Sequence, residues 1–288
     1  MDPQSIRTVA VLGAGTMGNG IAHVFSRGGY NVILRDVEQH VLDRALENIS
    51  KNLDREIKKG TVAQTEKAAI LGRIQGVTAM DAISPADFLI EAVPEQLRIK
   101  EKALGEADRV LRLEAIIATN TSSISVTALA AATQRPDRFI GMHFMNPVPV
   151  MPLVEVIRAL QTSDATFDTV SKLCEKLEKK PIPVADSPGF VSNRVLMPLI
   201  NEAAFCVLEG VASPEAVDAV MKLGMSHPMG PLELADFIGL DVCLDIMEVL
   251  VEGFGDPKFR PCPLLKKMVS AGWLGKKSGR GFYNYGGK

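Results

Sequence analysis

No apolar run in this 288-residue sequence approaches the ~18 residues needed to cross a bilayer, so no membrane span is expected. The N-terminus, MDPQSIRTVAVLG, enters a strand pattern almost at once and leaves no room for a signal peptide. Cysteine is sparse. Cys174, Cys206, Cys243 and Cys262 are scattered without a CxxC pair, and Cys206 and Cys243 lie in apolar helical stretches as small fillers. A soluble, cytoplasmic protein of a reducing compartment fits these features best. Neither sign of charge dominates: the net charge is −2 and the pI about 6.1. Basic residues are interspersed with acidic ones, which argues against a nucleic-acid partner. Metal-ligand spacing of histidine, cysteine and carboxylate is missing, and so is a GxSxG nucleophile elbow. Internal repeats and low-complexity segments are missing as well.

What is present is a large apolar fraction, 47%, enough for a sizeable core. Domains usually hold roughly 100–200 residues, so two are expected. Short apolar runs, TVAVLG (8–13), NVILRD (31–36), FLIEAV (88–93), AIIATN (115–120) and RFIGMHF (138–144), read as strands. Helical stretches lie between them at 17–27, 38–59 and 97–112. Strands apolar on both faces and alternating with helices imply a doubly wound, Rossmann-like and mostly parallel α/β sheet.

Near PIPVADSPGF (181–190) this alternation stops. Beyond it the spacing predicts helices over 191–210, 213–224, with Ser213 as cap and Pro214 in the first turn, and 230–255. The expected division is 1–186 for the α/β domain and 187–288 for an all-helical domain. Helices as apolar as these need more cover than a hundred residues give, which points to a subunit interface.

VAVLGAGTMGNGIAHVF carries Gly13, Gly15 and Gly18 between a strand and a helix. Gly13 permits the tight turn, Gly15 the close approach of a pyrophosphate, and Gly18 the packing of helix on strand. The helix start offers free N–H groups to the phosphates. Asp36 ends the next strand, where it accepts from ribose hydroxyls and repels a 2′-phosphate, which favours NAD over NADP. Arg35 beside it weakens that preference.

His143, in IGMHFMNPVPVMPLVEVI, ends a strand, the end that faces the ligand crevice in such a sheet. Glu155 follows in an apolar run. A carboxylate on one ring nitrogen fixes the tautomer and stabilises the imidazolium, leaving the other nitrogen to take a substrate proton. Spacing alone leaves open a buried structural pair. TNTSS (119–123) adds Asn120 and Ser122 as uncharged hydrogen-bonding groups. His23 reads as a packed or half-exposed helix residue, His40 as solvated, and His227 as a turn residue without a carboxylate like Glu155.

VLGAGTMGNGIA, EAVPE, TNTSS, GMHFMNPVPVMPLVEV, DSPGFVSNR, HPMGPLELADFIGLD and GKKSGRGFYNY occur in that order from end to end. With these blocks the chain resembles the L-3-hydroxyacyl-CoA dehydrogenases, in particular their free-standing bacterial 3-hydroxybutyryl-CoA branch. The resemblance implies His143 as general base, Glu155 as its orienting partner, and Ser122 and Asn193 as partners of the substrate's reacting oxygens. It implies an NAD site of Gly13, Ala14, Gly15, Thr16, Met17, Gly18, Asp36, Glu95, Lys100, Asn120, Ser122 and Asn146. Lys277 joins that site if the C-terminal segment folds back. For the CoA half it implies Lys59, with Asn52 standing where a serine is usual. In NISKNLDREIKKG (48–60), Lys51, Arg55 and Lys58 or Lys59 share a helix face, as an ordinary solvated face also would. A homodimer through the C-terminal helices is expected, partly from the resemblance.

Two other functions remain to be separated. A dehydrogenase of a non-CoA hydroxy acid on this fold often uses a lysine near the start of the long helix. No lysine occurs between Lys180 and Lys222, although a gulonate-type enzyme keeps the histidine. A non-catalytic nucleotide-binding protein would not need His143, Glu155, Ser122 and Asn193 together.

Overall fold

The computed structural model describes residues 4–286. The chain divides into two compact units, Met1–Asp186 and Ser187–Lys288. In the first, β1 (Thr8–Leu12), α1 (Thr16–Arg27), β2 (Asn31–Arg35), α2 (Gln39–Lys58), α3 (Lys67–Gly72) and β3 (Ile74–Val77) follow in order. After them come β4 (Phe88–Glu91), α4 (Leu97–Val110), β5 (Ile116–Thr119), α5 (Val126–Ala131), β6 (Phe139–Phe144), β7 (Leu153–Arg158), α6 (Asp164–Lys176) and β8 (Lys180–Ala185). The sheet order is β3-β2-β1-β4-β5-β6-β7-β8. Pairing is parallel except between β6 and β7. This is the doubly wound, mostly parallel sheet that the alternating pattern predicts. The chain leaves β1 in one direction and returns to its other side with β4, so the crevice at the strands' carboxyl ends lies beside Gly13.

Central strands such as β4, β5 and β6 are buried at every position, because helices cover both faces. The core combines Val9, Val11, Leu34, Phe88, Ile90, Ile140 and Val156 from the strands with Ile21, Phe25, Leu42, Ile49 and Leu173 from the helices. The rings of Phe25 and Tyr30 meet edge to face at 5.6 Å.

Three strands depart from the sequence expectation. In β3, IQGV, a glycine interrupts the apolar signal. β7 carries Glu155 within an otherwise strand-like run. β8, KPIPVA, has two prolines and reads as a linker, yet it lies at the sheet edge, where missing N–H donors cost least.

The second unit is helical: α7 (Ser192–Leu208), α8 (Pro214–Gly224), α9 (Pro231–Ile238), α10 (Leu240–Phe254) and α11 (Pro263–Ser270). Ser213 caps α8 by accepting from the Ala216 N–H at 3.3 Å. The single helix expected over 230–255 is two, because Gly239 adopts φ +109°, outside helical space. Its core joins Met197, Ile200, Leu240, Met247, Leu250 and Leu265.

Candidate active site

The glycine loop is built so that only glycine serves at two positions. Gly13 has φ +90°, and a Cβ there would lie 2.6 Å from the Ala92 carbonyl oxygen. A Cβ on Gly18 would lie 1.7 Å from the Gly13 oxygen, so α1 packs directly on the turn. At Gly15, the cap of α1, a Cβ would meet nothing within 4 Å, and no side chain caps the helix. Open space beside uncapped N–H groups suits a pyrophosphate. Ala14 donates its N–H to Asp36 Oδ2 at 2.7 Å, so this carboxylate also ties the loop to the end of β2. Arg35 Nε donates to the Thr78 carbonyl at 3.2 Å. A cavity of about 650 Å³ lies here, lined by Gly13, Asp36, Val37, Val93, Pro94 and Ile99 among others. Glycine cradle, acid and cavity together fit the adenosine half of a dinucleotide.

After β4, the EAVPE segment organises the neighbouring turn. Lys100, 1% exposed, donates to Glu91 Oε1 at 2.8 Å and to the Val93 carbonyl at 3.1 Å, and lies 3.1 Å from Glu95 Oε2. Glu95 Oε1 accepts from the Ser122 N–H at 2.8 Å and the Ser123 N–H at 3.0 Å, and from the hydroxyls of Thr121, Ser122 and Ser123. Burial raises the Glu95 carboxyl, but the Lys100 charge and the Thr121 and Ser122 bonds outweigh it and hold it below the usual glutamate range. The buried Lys100 therefore bears on the site through Glu95. Glu91, also accepting from the Thr119 hydroxyl at 2.7 Å, went unsuspected in the sequence. A glutamate inside an otherwise apolar strand, nine residues before a lysine on the next helix, was the available signal. Asn120 Oδ1 accepts from the Phe144 N–H at 2.9 Å and ties this turn to the strand of His143.

His143 and Glu155 meet. The antiparallel register of β6 and β7 places them directly opposite each other, so both side chains leave the same face. His143 Nδ1 lies 2.8 Å from Glu155 Oε2, and both residues are buried. An ionised carboxylate at this distance can hold a proton on Nδ1, and the contact leaves out the other ring nitrogen, Nε2. Such a pair can take and return a proton.

Asn146, exposed after β6, lines a cavity of about 270 Å³ with Thr16, Asn19, Asn48, Lys51, Asn52 and Arg55 among others. Arg55 Nη1 donates to Asn52 Oδ1 at 3.0 Å, and Lys51 pairs with Glu47 at 2.6 Å. Lys59, at the end of α2, lines a separate cavity of about 710 Å³ with Arg27, Glu56 and Arg73. The basic face of α2 thus serves two hollows. Met17, in the first turn of α1, packs against the core.

Among the other histidines, His23 is fully buried with Nε2 3.5 Å from Glu56 Oε2. His40 is exposed beside Glu38, and His227 is partly buried in a turn. Among the described residues, no group of histidine, cysteine and carboxylate side chains has a metal-holding arrangement.

In the second unit, Asn193 is buried in the first turn of α7 and donates its N–H to the Gly189 carbonyl at 3.1 Å. Lys277 Nζ donates to Asp241 Oδ2 at 2.7 Å. Asp236 accepts from the Phe282 and Tyr283 N–H groups at 3.0 and 2.9 Å and from the Tyr285 hydroxyl at 3.1 Å, and so anchors the C-terminal segment.

A glycine cradle at a topological switch point, with an acid ending the next strand, defines a dinucleotide-binding α/β protein. The comparisons refine that class. The profile of the 3-hydroxyacyl-CoA dehydrogenase NAD binding domain matches residues 8–187, and that of the 3-hydroxyacyl-CoA dehydrogenase C-terminal domain matches 189–285. The chain belongs to the 3-hydroxyacyl-CoA dehydrogenase family, and its cofactor is NAD. It is 54% identical over 280 residues to the probable 3-hydroxybutyryl-CoA dehydrogenase of Bacillus subtilis, covering 97% of this chain and 98% of that one. Against the 3-hydroxybutyryl-CoA dehydrogenase of Bradyrhizobium diazoefficiens it is 53% identical over 282 residues, covering 98% and 96%. The crystal structure of (S)-3-hydroxybutyryl-CoA dehydrogenase from Ralstonia eutropha matches with a TM-score of 0.95 at 53% identity, covering 98% of this chain and 100% of that one.

Proposed function

We propose that this protein oxidises L-3-hydroxyacyl-CoA, short-chain 3-hydroxybutyryl-CoA foremost, to the 3-ketoacyl-CoA with NAD, reversibly. The observation that carries the reading is the 2.8 Å contact of His143 Nδ1 with Glu155 Oε2 at the carboxyl end of β6. The chemistry that bound NAD would supply is a hydride acceptor for the substrate's hydroxyl-bearing carbon. Residues of the chain do the rest. His143 Nε2 takes the hydroxyl proton, and Glu155 stabilises the resulting imidazolium. Ser122 and Asn193 hydrogen-bond the reacting oxygens.

Gly13, Ala14, Gly15, Thr16, Met17 and Gly18 hold the pyrophosphate, and Asp36 holds the adenosine ribose. Glu95, Ser122, Asn120 and Asn146 form the nicotinamide side, with Lys100 keeping Glu95 ionised. Lys277, which pairs with Asp241, joins it only if the C-terminal segment folds back. Lys59 and Asn52 receive the CoA half. In the division of labour, 1–186 binds NAD, and 187–288 completes the substrate cleft and forms a dimer interface. Exposed Val211, Val220, Leu223 and Met225 on and around α8 support a homodimer through the C-terminal helices. The protein works in the cytoplasm.

Oxidation of NADH by acetoacetyl-CoA tests this reading. Turnover with the CoA ester, with none for free acetoacetate or a sugar acid, is expected. Equal turnover of the free acid would contradict it.

A further inference from the structure

Residues 145–152 join β6 to β7 and so link the strand of His143 to the strand of Glu155. Lys179 and Gly20 grip this segment at Val148. From below, Lys179, 5% exposed, donates from Nζ to the Val148 carbonyl at 2.6 Å and to the Met151 carbonyl at 2.8 Å. Glu178 adopts φ +58°, and this left-handed turn after α6 precedes Lys179. Lys180 then donates its N–H to the Pro152 carbonyl at 2.7 Å, so three carbonyls of the segment bond to 179–180. Burial pushes the Lys179 ammonium below the usual lysine range, and Arg27 adds to the effect. Burying a cation is costly unless it is hydrogen-bonded, and the Val148 and Met151 carbonyls supply those bonds.

From the other side, α1 presents Gly20. A Cβ on Gly20 would lie 2.9 Å from Val148 Cβ and 3.1 Å from Val148 Cγ2. The dinucleotide helix therefore touches the segment through a residue with no side chain. Asn146, two residues before Val148, faces the cavity it shares with Thr16 and Asn52.

We propose that Lys179 and Gly20 are positioning residues that clamp Val148 between them, fixing Asn146 and the ends of the His143 and Glu155 strands relative to the dinucleotide helix. Lys179 is buried beneath the segment, and Gly20, which lines the cavity of Asn52 and Asn146, offers that cavity no side chain. A Lys179→Met change leaves two carbonyls without their donor and frees the segment. A Gly20→Ala change pushes Val148 off α1. Displacements near 1 Å at a reacting centre cost about 100-fold in rate.

The proposal rests on the functional reading above, and the experiment separates the two. The full chain, K179M, K179R and G20A are compared for kcat and KM with acetoacetyl-CoA, NADH affinity by fluorescence, unfolding midpoint, and hydrogen exchange at the Val150 and Met151 amides. Working well below each unfolding midpoint, kcat/KM for acetoacetyl-CoA is expected to fall about 10- to 100-fold in K179M and G20A. NADH affinity, set on the Asp36 side, is expected to stay within about twofold, because lost positioning acts on the reacting centre rather than on uniform binding. K179R is expected to regain part of the loss. Exchange at Val150 and Met151 is expected to quicken by roughly tenfold in K179M.

Wild-type kcat/KM in both K179M and G20A overturns the clamp, as does a loss of NADH affinity in step with kcat/KM. If K179M does not fold, G20A decides by the same criteria. If the wild-type chain does not turn over acetoacetyl-CoA, the functional reading fails by itself. The exchange rates then judge the clamp, and unchanged rates overturn it.

Discussion

At the scale of single residues, the site depends on charges placed where water is scarce. His143 and Glu155 are both buried, and neither suits a core strand unless the other is present. Replacing His143 with Gln keeps a polar group of similar reach but removes the proposed proton acceptor. The expected result is a fall in kcat of about 10²- to 10⁴-fold in steady-state assays with acetoacetyl-CoA, with NADH affinity retained. Glu155→Gln should lower kcat less, since in the proposed mechanism it removes orientation and not the base. Lys100 is the second such charge. Removing it by Lys100→Met strands Glu91 and Glu95, so urea unfolding should show a loss of about 3–5 kcal/mol. Glu95 lies below its ordinary value of 4.5, so its contribution to stability is full above that value and is lost as pH falls through the lower folded value. In the wild type that loss is therefore confined to pH below 4.5, and in Lys100→Met, with the main lowering cause gone, it should shrink. Urea midpoints measured across pH follow both changes.

At the scale of elements, the glycine turn was the most legible part of the chain, because φ +90° at Gly13 and the contact at Gly18 admit no other residue. Gly18→Ala would drive a methyl group into the Gly13 carbonyl. Thermal unfolding should show a loss of about 1–3 kcal/mol, and fluorescence titration a weaker NADH complex. The His143–Glu155 contact was not legible in the same way. It depends on a cross-strand register that pairs residues twelve apart around a proline-bearing segment, and no local pattern encodes that register. β8 was missed for a related reason. Its prolines spell a linker, and only its place at the sheet edge makes them tolerable in a strand. The break at Gly239 was visible as a glycine, but helical spacing on both sides concealed it. Long-range partners such as Asp87 with the Arg7 and Thr8 N–H groups, or Asp186 with the Val126 and Thr127 N–H groups, left no trace in the sequence.

At the scale of the whole molecule, the proposal is a homodimer through the C-terminal helices. Leu223 is 87% exposed and Val220 62%, a level of apolar exposure that a partner would relieve. Sedimentation at micromolar concentration is expected to give a dimer, and Leu223→Asp with Val220→Asp to shift it toward monomer. A wild-type monomer would contradict the interface. The central claim is that a single imidazole, held by Glu155, exchanges the proton of the substrate oxygen. A crystal structure with NADH and acetoacetyl-CoA bound tests it most directly. The account predicts the 3-keto oxygen about 2.6–3.2 Å from His143 Nε2, with the nicotinamide ring over the carbon that bears it. A keto oxygen held by another acid, with His143 turned away from it, would contradict the account.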